Sequence, residues 1–427
     1  MNILILTYYW PPSGGSGVQR WVYFAKYLKK NGFNPVVVTV DPKYASYNSY
    51  DYSLINQVNN IETYKTKSIE ILSLYSMIKS GNKSGSIPQS YIPNETLFDK
   101  IASFLRLNLF IPDSRIGWNR FAFKKAKEII SNNKIDLVIT TGPPHSTHLI
   151  GQKIHNIYKL KWIVDLRDPW SELFYLKNRF RFNISKKLND KFEKKVLESA
   201  DSIITTVGSR YQNIISNKIS NSDKIYKIYN GYDKLSYDKI EESKPNKFNI
   251  VFTGVLSKNH NYEIFNEILD KLKIHHNKMR LVLTMAGKIE NEIKMLFSSK
   301  VKLIDMGYVD HDEAISIIKS SHLLINFNYL KTEETDMISG KLIEYLASGS
   351  PIINFAESAE ESNIILESSP KSFSASRNDI NKVVHFIQNE YKEWSDGKFG
   401  KKIPKNIDSL SREKLTEKLI DIINSIV

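Results

Sequence analysis

The sequence predicts an α/β protein made of two successive parallel-sheet domains. Three observations predict it. Apolar runs alternate with helical stretches through the first half, the same alternation restarts near residue 248, and a charged stretch divides the two sets. At 427 residues the chain exceeds one ordinary core, so two domains of about 200 residues each are expected.

In the first set, Asn2–Thr7 reads as a strand, Tyr8–Gly17 as a loop, Val18–Asn31 as a helix ending near Gly32, and Pro35–Val40 as a buried parallel strand, apolar throughout. Residues from about 44 to 117 are irregular and rich in Ser, Asn and Tyr, and read as an insertion over the binding face. The alternation resumes with Phe121–Asn132 (helix), Asp136–Thr140 (strand), Thr147–Tyr158 (helix), Trp162–Asp165 (strand), a basic helix to Ala200, and Ser202–Thr206 (strand). Ser236–Lys247, charged and containing Pro245, reads as a linker. Strands follow at Phe248–Thr253, Arg280–Ala286, Val301–Met306, Leu323–Asn326 and Pro351–Phe355, and a final amphipathic helix at Ser409–Val427. A ligand is expected in the cleft facing the carboxyl ends of both sheets.

Composition narrows the function classes. Hydrophobic content of 41% with 25% charged residues fits a globular chain and excludes a disordered one. The absence of cysteine excludes disulfides and thiolate metal sites. The N-terminus runs from Met-Asn-Ile-Leu-Ile-Leu into Tyr-Tyr-Trp-Pro-Pro with no basic region before it, and reads as a buried strand rather than a signal peptide. No run approaches the ~20 apolar residues of a spanning helix. A cytoplasmic protein, soluble or peripheral, is expected. The net charge of +14 asks for a polyanionic partner. Nucleic acid is not expected, because no zinc finger, RNP motif or compact arginine stripe is present. An anionic membrane surface is the other candidate: Leu97–Ile111 is apolar at helical spacing with Lys100 and Arg106 available to lipid heads, although such a stripe also suits a protein core. The lysines from Lys186 to Lys195 read as a solvated helix face.

Asp336 and Glu344, with seven residues between them, carry the most chemistry. One acid sits in a loop, the other inside the helix that follows, and Lys341 and the first helical amides lie between. An exposed helix start with a lysine is an anion site, and the flanking carboxylates accept hydrogen bonds from sugar hydroxyls. Phosphate in the middle and hydroxyls on either side describe a nucleotide-sugar. Ser339 is placed to cap this helix after Asp336, with Gly340 beside it, and Gly349 with Pro351 ends it. Gly254-Val255-Leu256-Ser257-Lys258 follows the first strand of the second half, which puts Lys258 within reach of a diphosphate after a glycine turn.

In the first half, Pro11-Pro12-Ser13-Gly14-Gly15-Ser16-Gly17 leads from strand to helix, and its glycines let backbone approach a phosphate or sugar. As a dinucleotide fingerprint it is incomplete, with Arg20 where a third glycine is wanted; Asp41 at the end of the second strand keeps an NAD(P)-binding oxidoreductase open as an alternative. Gly142-Pro143-Pro144-His145-Ser146 and Asp165-Leu166-Arg167-Asp168-Pro169-Trp170 follow strands, so His145 and Asp168 are candidates to orient or deprotonate an acceptor hydroxyl and Arg167 to hold a phosphate. Caps and an Arg–Asp structural pair are the competing explanation. His145 and His148 form His-x-x-His with no third ligand nearby in sequence, so no metal site is expected. Asp310-His311-Asp312 precedes Glu313 and an apolar helical run, and reads as an N-cap rather than a metal-diphosphate motif.

At these residues the chain resembles the family 4 glycosyltransferases of GT-B fold, two Rossmann-like domains facing a central cleft. The resemblance covers nearly the whole length. It rests on the Pro-Pro/Gly-rich first loop, Gly142-Pro143-Pro144-His145-Ser146, Asp165-x-Arg167-Asp168-Pro169-Trp170, Asn230-Gly231-x-Asp233, and Asp336-x7-Glu344. It implies a retaining, metal-independent, cofactor-free hexosyl transfer from a nucleotide-sugar, UDP-linked by preference, to a glycan or lipid-linked acceptor in surface polysaccharide synthesis. It implies an acceptor domain at 1–235, a donor domain at 236–408, and a helix at 409–427 packing across a domain. Glu344 would then bind the donor ribose and Asp336 the transferring sugar. Lys258, Lys341 and nearby amides would neutralise the leaving diphosphate, with Gly14 and Gly15 approaching the same phosphates. Two positions depart from the family: Asp336 stands where Glu is usual, and Val255 where Arg is usual. A GT-B epimerase or phosphorylase, or a non-catalytic nucleotide-sugar or lipid-binding module, are the alternatives.

Overall fold

Seven parallel strands form the first sheet, in the order β3-β2-β1-β4-β5-β6-β7. They are β1 (Asn2–Leu6), β2 (Asn34–Val40), β3 (Glu62–Thr66), β4 (Leu137–Gly142), β5 (Lys161–Leu166), β6 (Ser202–Thr205) and β7 (Ile225–Lys227). The computed structural model describes residues 1–47, 50–70, 104–172, 180–206, 208–242, 245–275, 279–330, 338–356 and 360–427. β1 lies between β2 and β4, with Leu4 opposite Val36 on one side and Val138 on the other. The strand order therefore reverses direction beside β1, and the carboxyl ends of β1 and β4 flank the crevice where doubly wound sheets take ligands. Both faces are covered, which is why these strands read as apolar runs. α1 (Ser16–Lys30) buries Trp21, Phe24 and Leu28 against Ile3 and Ile5. A 3-10 turn (Ser53–Gln57) lies between β2 and β3, and α2 (Asn119–Asn132), α3 (Ser146–Tyr158), α4 (Asn183–Ser199) and α5 (Ser209–Ser216) lie in the crossovers from β3 onward.

The second sheet has six parallel strands in the order β10-β9-β8-β11-β12-β13. These are β8 (Phe248–Leu256), β9 (Leu281–Ile289), β10 (Lys302–Gly307), β11 (Leu323–Phe327), β12 (Ile352–Phe355) and β13 (Ser372–Ala375). The order repeats the first sheet's logic, with the switch between β8 and β11. The helices of this unit are α6 (Lys234–Lys239), α7 (Tyr262–His275), α8 (Asn291–Ser298), α9 (His311–Lys319), α10 (Gly340–Ser348), α11 (Glu360–Leu366) and α12 (Ile380–Ser395). Its core joins Phe252, Phe265, Phe297, Phe327 and Phe355, whose rings meet mostly edge-on or tilted, as their quadrupoles prefer.

The chain divides into Met1–Tyr229 with Leu415–Val427, and Asn230–Lys414. Asn230-Gly231-x-Asp233 opens the second unit: Gly231 adopts φ 70, and the Asp233 carboxylate accepts from the Ser236 amide at 3.1 Å to cap α6. The last helix, α13 (Arg412–Ile426), sends Leu415, Leu419, Ile422 and Ile423 into the core of the first unit. Each such side chain contributes about 1.5–3 kcal/mol of burial.

Several stretches differ from expectation: the edge strands β7 and β13 carry no strand signal in the sequence reading, and α6 occupies the start of the stretch read as a linker. Residues 62–66, inside the segment expected to lie outside the scaffold, form the edge strand β3, with Val38 opposite Tyr64. Glu-Thr-Tyr-Lys-Thr carries no apolar run because an edge strand is half-solvated, so its pattern reads as loop. Residues 97–103 of the expected amphipathic segment Leu97–Ile111 lie outside the described residues, as does Asp336, while residues 104–109 are helical.

Candidate functional site

In the second unit the candidate residues gather at the carboxyl end of β8 and the start of α10. Gly254 sits near the end of β8 with φ 116, and Gly287, its partner on β9, has φ 124. Both values suit glycine alone. A Cβ on Gly287 would stand 2.0 Å from the Gly254 carbonyl oxygen, and one on Gly254 would stand 2.8 Å from Lys341 Cδ. Gly254 thus leaves room for the Lys341 side chain, and Gly287 lets the Gly254 backbone lie close to β9. Gly287 was not singled out from the sequence; the signal was a glycine inside a strand pattern.

Lys341 is half-buried, and its Nζ lies 4.3 Å from the centre of the Phe252 ring. Burial, the sole cause of its shift, pushes the ammonium down to about 7. Among the described residues no carboxylate forms an ion pair with it. A buried cation without an acid is costly unless an anion arrives. The helix start beside it is open as well: Ser339 is the N-cap residue, yet its side chain makes no capping bond, and Gly340 is half-buried. Tyr345 fixes the helix against the sheet by accepting from the Thr253 amide at 2.8 Å. His260, in the loop after β8, packs on Tyr329 with ring centres 4.1 Å apart. Burial and then the Lys341 charge hold His260 down to about 4, so it stays neutral.

Glu344 stands one turn further along α10. Its Oε1 accepts from His311 Nε2 at 3.0 Å and from Arg412 Nη2 at 3.2 Å, while Oε2 accepts from no described group. Burial pushes this carboxyl up, but His311 and Arg412 outweigh it and hold the pKa below its usual value. The Tyr237 hydroxyl donates to the Glu344 carbonyl at 2.7 Å. Asp310 does cap α9, accepting from the Glu313 amide at 2.9 Å, and this cap presents His311 to Glu344. Sequence reasoning missed both partners, which lie 33 and 68 residues away. Lys258 is exposed and pairs with Glu292 at 2.6 Å. Val255, where the resembled family carries arginine, is exposed.

In the first unit the candidates sit after β1, β4 and β5. Gly15 has φ 109 and is the N-cap of α1, without a side-chain cap bond; Gly14 beside it is half-buried. A Cβ on Gly17 would lie 2.1 Å from Arg167 Nη1, so the first turn of α1 seats that guanidinium. Arg167 Nε donates to the Gly142 carbonyl at 3.2 Å and Nη2 to the Pro143 carbonyl. The buried Arg–Asp pair in this region involves other residues: Arg20 Nη2 donates to Asp165 Oδ1 at 2.9 Å. Trp21 and Thr141 donate to Asp165 Oδ2 at 2.6 and 2.8 Å. Arg20 therefore stands where a dinucleotide fingerprint wants glycine because its side chain ties α1 to β5. Its Nη1 also donates to the Ile228 carbonyl at 3.0 Å.

Asp168 accepts from no described donor. Burial raises its pKa and Arg167 only partly offsets this. His145 stacks on Trp170, with ring centres 4.9 Å apart and planes 11° from parallel. Its Nε2 donates to the Pro169 carbonyl at 3.3 Å, leaving Nδ1 as the bare nitrogen, and burial holds the ring far below its usual pKa. His148 bonds Thr140 Oγ1 through Nδ1 at 2.8 Å, and burial lowers it to about 3. A Cβ on Gly142 would stand 2.5 Å from His148 Nε2 and 2.9 Å from His145 Nδ1, so glycine there admits both rings. Asp113 occupies the start of α3, accepting from the Ser146 amide at 2.7 Å. That helix start is closed, whereas those of α1 and α10 lack side-chain caps.

No protein-family model matches this chain, and no curated protein matches it in sequence. Solved structures do match in fold. A sucrose-phosphate synthase from Thermosynechococcus elongatus superposes with TM-score 0.62 at 13% identity, covering 99% of this chain and 98% of that one. A glycosyltransferase from Rickettsia africae gives 0.61 at 16%, covering 100% and 98%. Anabaena HepE, solved with UDP and glucose, gives 0.59 at 13%, covering 100% of both chains. At these identities the likeness establishes the architecture: two Rossmann-like parallel-sheet domains of the GT-B kind.

Proposed function

We propose that this protein is a retaining, metal-independent glycosyltransferase that moves a hexose from a nucleotide-sugar to a glycan or lipid-linked acceptor in surface polysaccharide assembly. The observation that carries the reading is Lys341: a half-buried ammonium with no described acid partner, beside an uncapped helix start and against Gly254. A diphosphate fits that chemistry, and the nucleotide named with the HepE structure favours UDP. Lys341 and the backbone at Ser339 and Gly340 would hold the leaving diphosphate, where negative charge develops. Glu344 would accept from the ribose hydroxyls through Oε2, its other oxygen being held by His311 and Arg412. Asp336 is assigned to the transferring sugar, and Lys258 to the outer phosphate once it leaves Glu292. Gly14 and Gly15 offer a second open helix start to the anionic part of the substrates.

The acceptor hydroxyl oxygen would attack the anomeric carbon on the face from which the diphosphate leaves. The carbon–oxygen bond to phosphate breaks as the new glycosidic bond forms, and a departing phosphate oxygen takes the acceptor proton. Asp168 supports acceptor binding better than His145 does, because its carboxylate is free to accept while the His145 ring is neutral and committed to Pro169. Arg167 would fix an anionic part of the acceptor, and His145 with Trp170 would shape the acceptor pocket.

The test is a nucleotide-sugar panel in UDP, GDP, ADP and CMP forms, read by thermal shift and by donor hydrolysis, on wild type and Glu344→Ala. A shift with one class that disappears in the variant supports the reading. Binding without hydrolysis or transfer moves the non-catalytic binding module to the front, and no shift with any member overturns the donor site.

A further inference from the structure

The first unit carries an aromatic and basic face that neither its core nor the candidate site uses. Phe104, Phe180 and Phe182 meet in one cluster, with ring centres 5.4 to 6.0 Å apart. They are nonetheless 36%, 68% and 45% exposed, and Leu109 and Ile184 beside them are 64% and 76% exposed. The cluster is built rather than accidental. Buried Asn108 takes the Phe182 amide on Oδ1 at 2.6 Å, and its own carbonyl accepts from Ser185 Oγ at 3.1 Å, which binds helical residues 104–109 to the start of α4.

From this end a single exposed stripe runs along α4. Ser185, Asn189, Glu193 and Val196 face the core, while Ile184, Leu188, Lys191 and Lys195 recur at helical spacing on the outside. The stripe starts apolar and becomes basic. Six basic and two acidic side chains lie between Phe180 and Lys195. Of the acids, Glu193 is buried and paired with Lys218 at 2.9 Å, and Asp190 is the counter-charge of Arg181. Lys186, Lys187, Lys191, Lys194 and Lys195 form no ion pair among the described residues. Lys191, Lys194 and Lys195 also line an open groove of about 490 Å³ with Gln152 and Asn156 of α3, and its one acid, Glu198, is taken up by the Ser220 amide and hydroxyl at 3.0 Å.

We propose that this face docks on an anionic lipid bilayer, with the three phenylalanines entering the headgroup–acyl boundary and the α4 lysines meeting the lipid phosphates and carboxylates. Exposed apolar clusters of this kind mark interaction surfaces, and the uncompensated lysines select an anionic partner. The lysines that read as a solvated face in the sequence thereby gain a role. The inference does not depend on the transfer reading, and its test uses no sugar donor.

The experiment is cosedimentation of the full chain with phosphatidylcholine vesicles, with and without one-third phosphatidylserine. It compares wild type with F180S/F182S and with K187E/K191E/K194E, each first shown to melt like wild type. Wild type is expected to pellet only with the phosphatidylserine vesicles, and each variant to lose at least about tenfold in partitioning, since every lysine near the surface and every buried methylene contributes. Failure of wild type to bind anionic vesicles, or wild-type binding by either variant, overturns the proposal. A wild-type dimer in light scattering that F180S/F182S dissolves, with no vesicle binding, overturns it in favour of a protein interface.

Discussion

Lys341 offers the sharpest quantitative handle on the proposed donor site. Burial lowers its pKa from 10.5 to about 7, which at 1.36 kcal/mol per unit is on the order of 5 kcal/mol of cost for carrying the charge in the unliganded protein. A diphosphate that binds the charged form draws a proton in. The ammonium is about nine-tenths charged at pH 6, about half at pH 7 and about a tenth at pH 8, so affinity for an intact UDP-sugar is expected to fall roughly tenfold from pH 6 to 8. The UDP-sugar is the right probe because free UDP has a terminal phosphate that titrates near 6. Among the described neighbours, His260 and Glu344 are held below this window. Isothermal titration in two buffers of different ionisation heat then reads the proton uptake directly, about half a proton at pH 7. Lys341→Arg, charged throughout, should flatten the profile; Lys341→Met should weaken binding by roughly 10- to 100-fold, as loss of a charge-assisted hydrogen bond predicts. The same shift acts on the unliganded fold. Because the folded pKa lies below the unfolded one, the full penalty is present below pH 7 and is relieved as pH rises from about 7 toward 10.5. The stability gap between Lys341→Met and wild type should narrow over that range. Affinity independent of pH in wild type, with no proton uptake, would refute the placement of Lys341 on the diphosphate.

Three further outcomes follow from the described contacts. Glu344→Ala should abolish most donor binding and lower the melting temperature by leaving His311 and Arg412 without their acid, a loss of roughly 3–5 kcal/mol for a broken buried pair; because the folded pKa is depressed, the wild-type advantage should be complete above the unfolded carboxyl pKa and fade as pH falls through the folded one, as paired melts will read. Asp168→Asn should reduce transfer while leaving UDP-sugar affinity within about twofold, since the proposed acceptor and donor contacts are distinct; equal losses in both, by titration and initial rates, would remove Asp168 from the acceptor side. Gly254→Ala should weaken donor binding, because its Cβ meets the flexible Lys341 chain at 2.8 Å, and its φ of 116 should also cost the fold about 1–3 kcal/mol. Gly287→Ala should destabilise the domain itself, because its Cβ meets backbone at 2.0 Å; denaturant melts of the two variants separate the effects.

The fold was legible where burial dictates pattern. Parallel strands covered on both faces must be apolar, so β1, β2, β4 and β8 read directly from Ile3–Leu6, Val36–Val40, Leu137–Ile139 and Ile250–Phe252. β3 was not legible, because an edge strand with one paired side tolerates Glu62 and Lys65. The site was legible to the extent that chemistry is local. Lys341, Ser339, Gly340 and Glu344 fall within six residues of one another on one helix start. What orients Glu344 was not, because His311 and Arg412 reach it through tertiary packing and carry no sequence spacing of their own. The Arg–Asp pairing failed for the same reason. Arg20 and Asp165 lie 145 residues apart, whereas sequence reasoning could only pair the adjacent Arg167 and Asp168.

That substitution of partners bears on how the charge of the chain divides. A net +14 pointed to one polyanionic partner, but the basic side chains sort by burial and pairing into three groups. Arg20 is buried and neutralised by Asp165, and is spent on the fold. Lys341 and Arg167 are half-buried, depressed in pKa by burial and without a described ion pair. A cation held in that state is stabilised by an anion that comes and goes, which is what a diphosphate or an anionic acceptor supplies. The α4 lysines are exposed and uncompensated, and their charge costs nothing in water but adds up over a large anionic surface. Half-buried single cations select small ligands by geometry, and an exposed row selects an extended partner by summed charge. On the two proposals the excess charge of this protein divides between two kinds of recognition on different elements, so neutralising the α4 row should leave UDP-sugar affinity intact, and replacing Lys341 should leave vesicle binding intact.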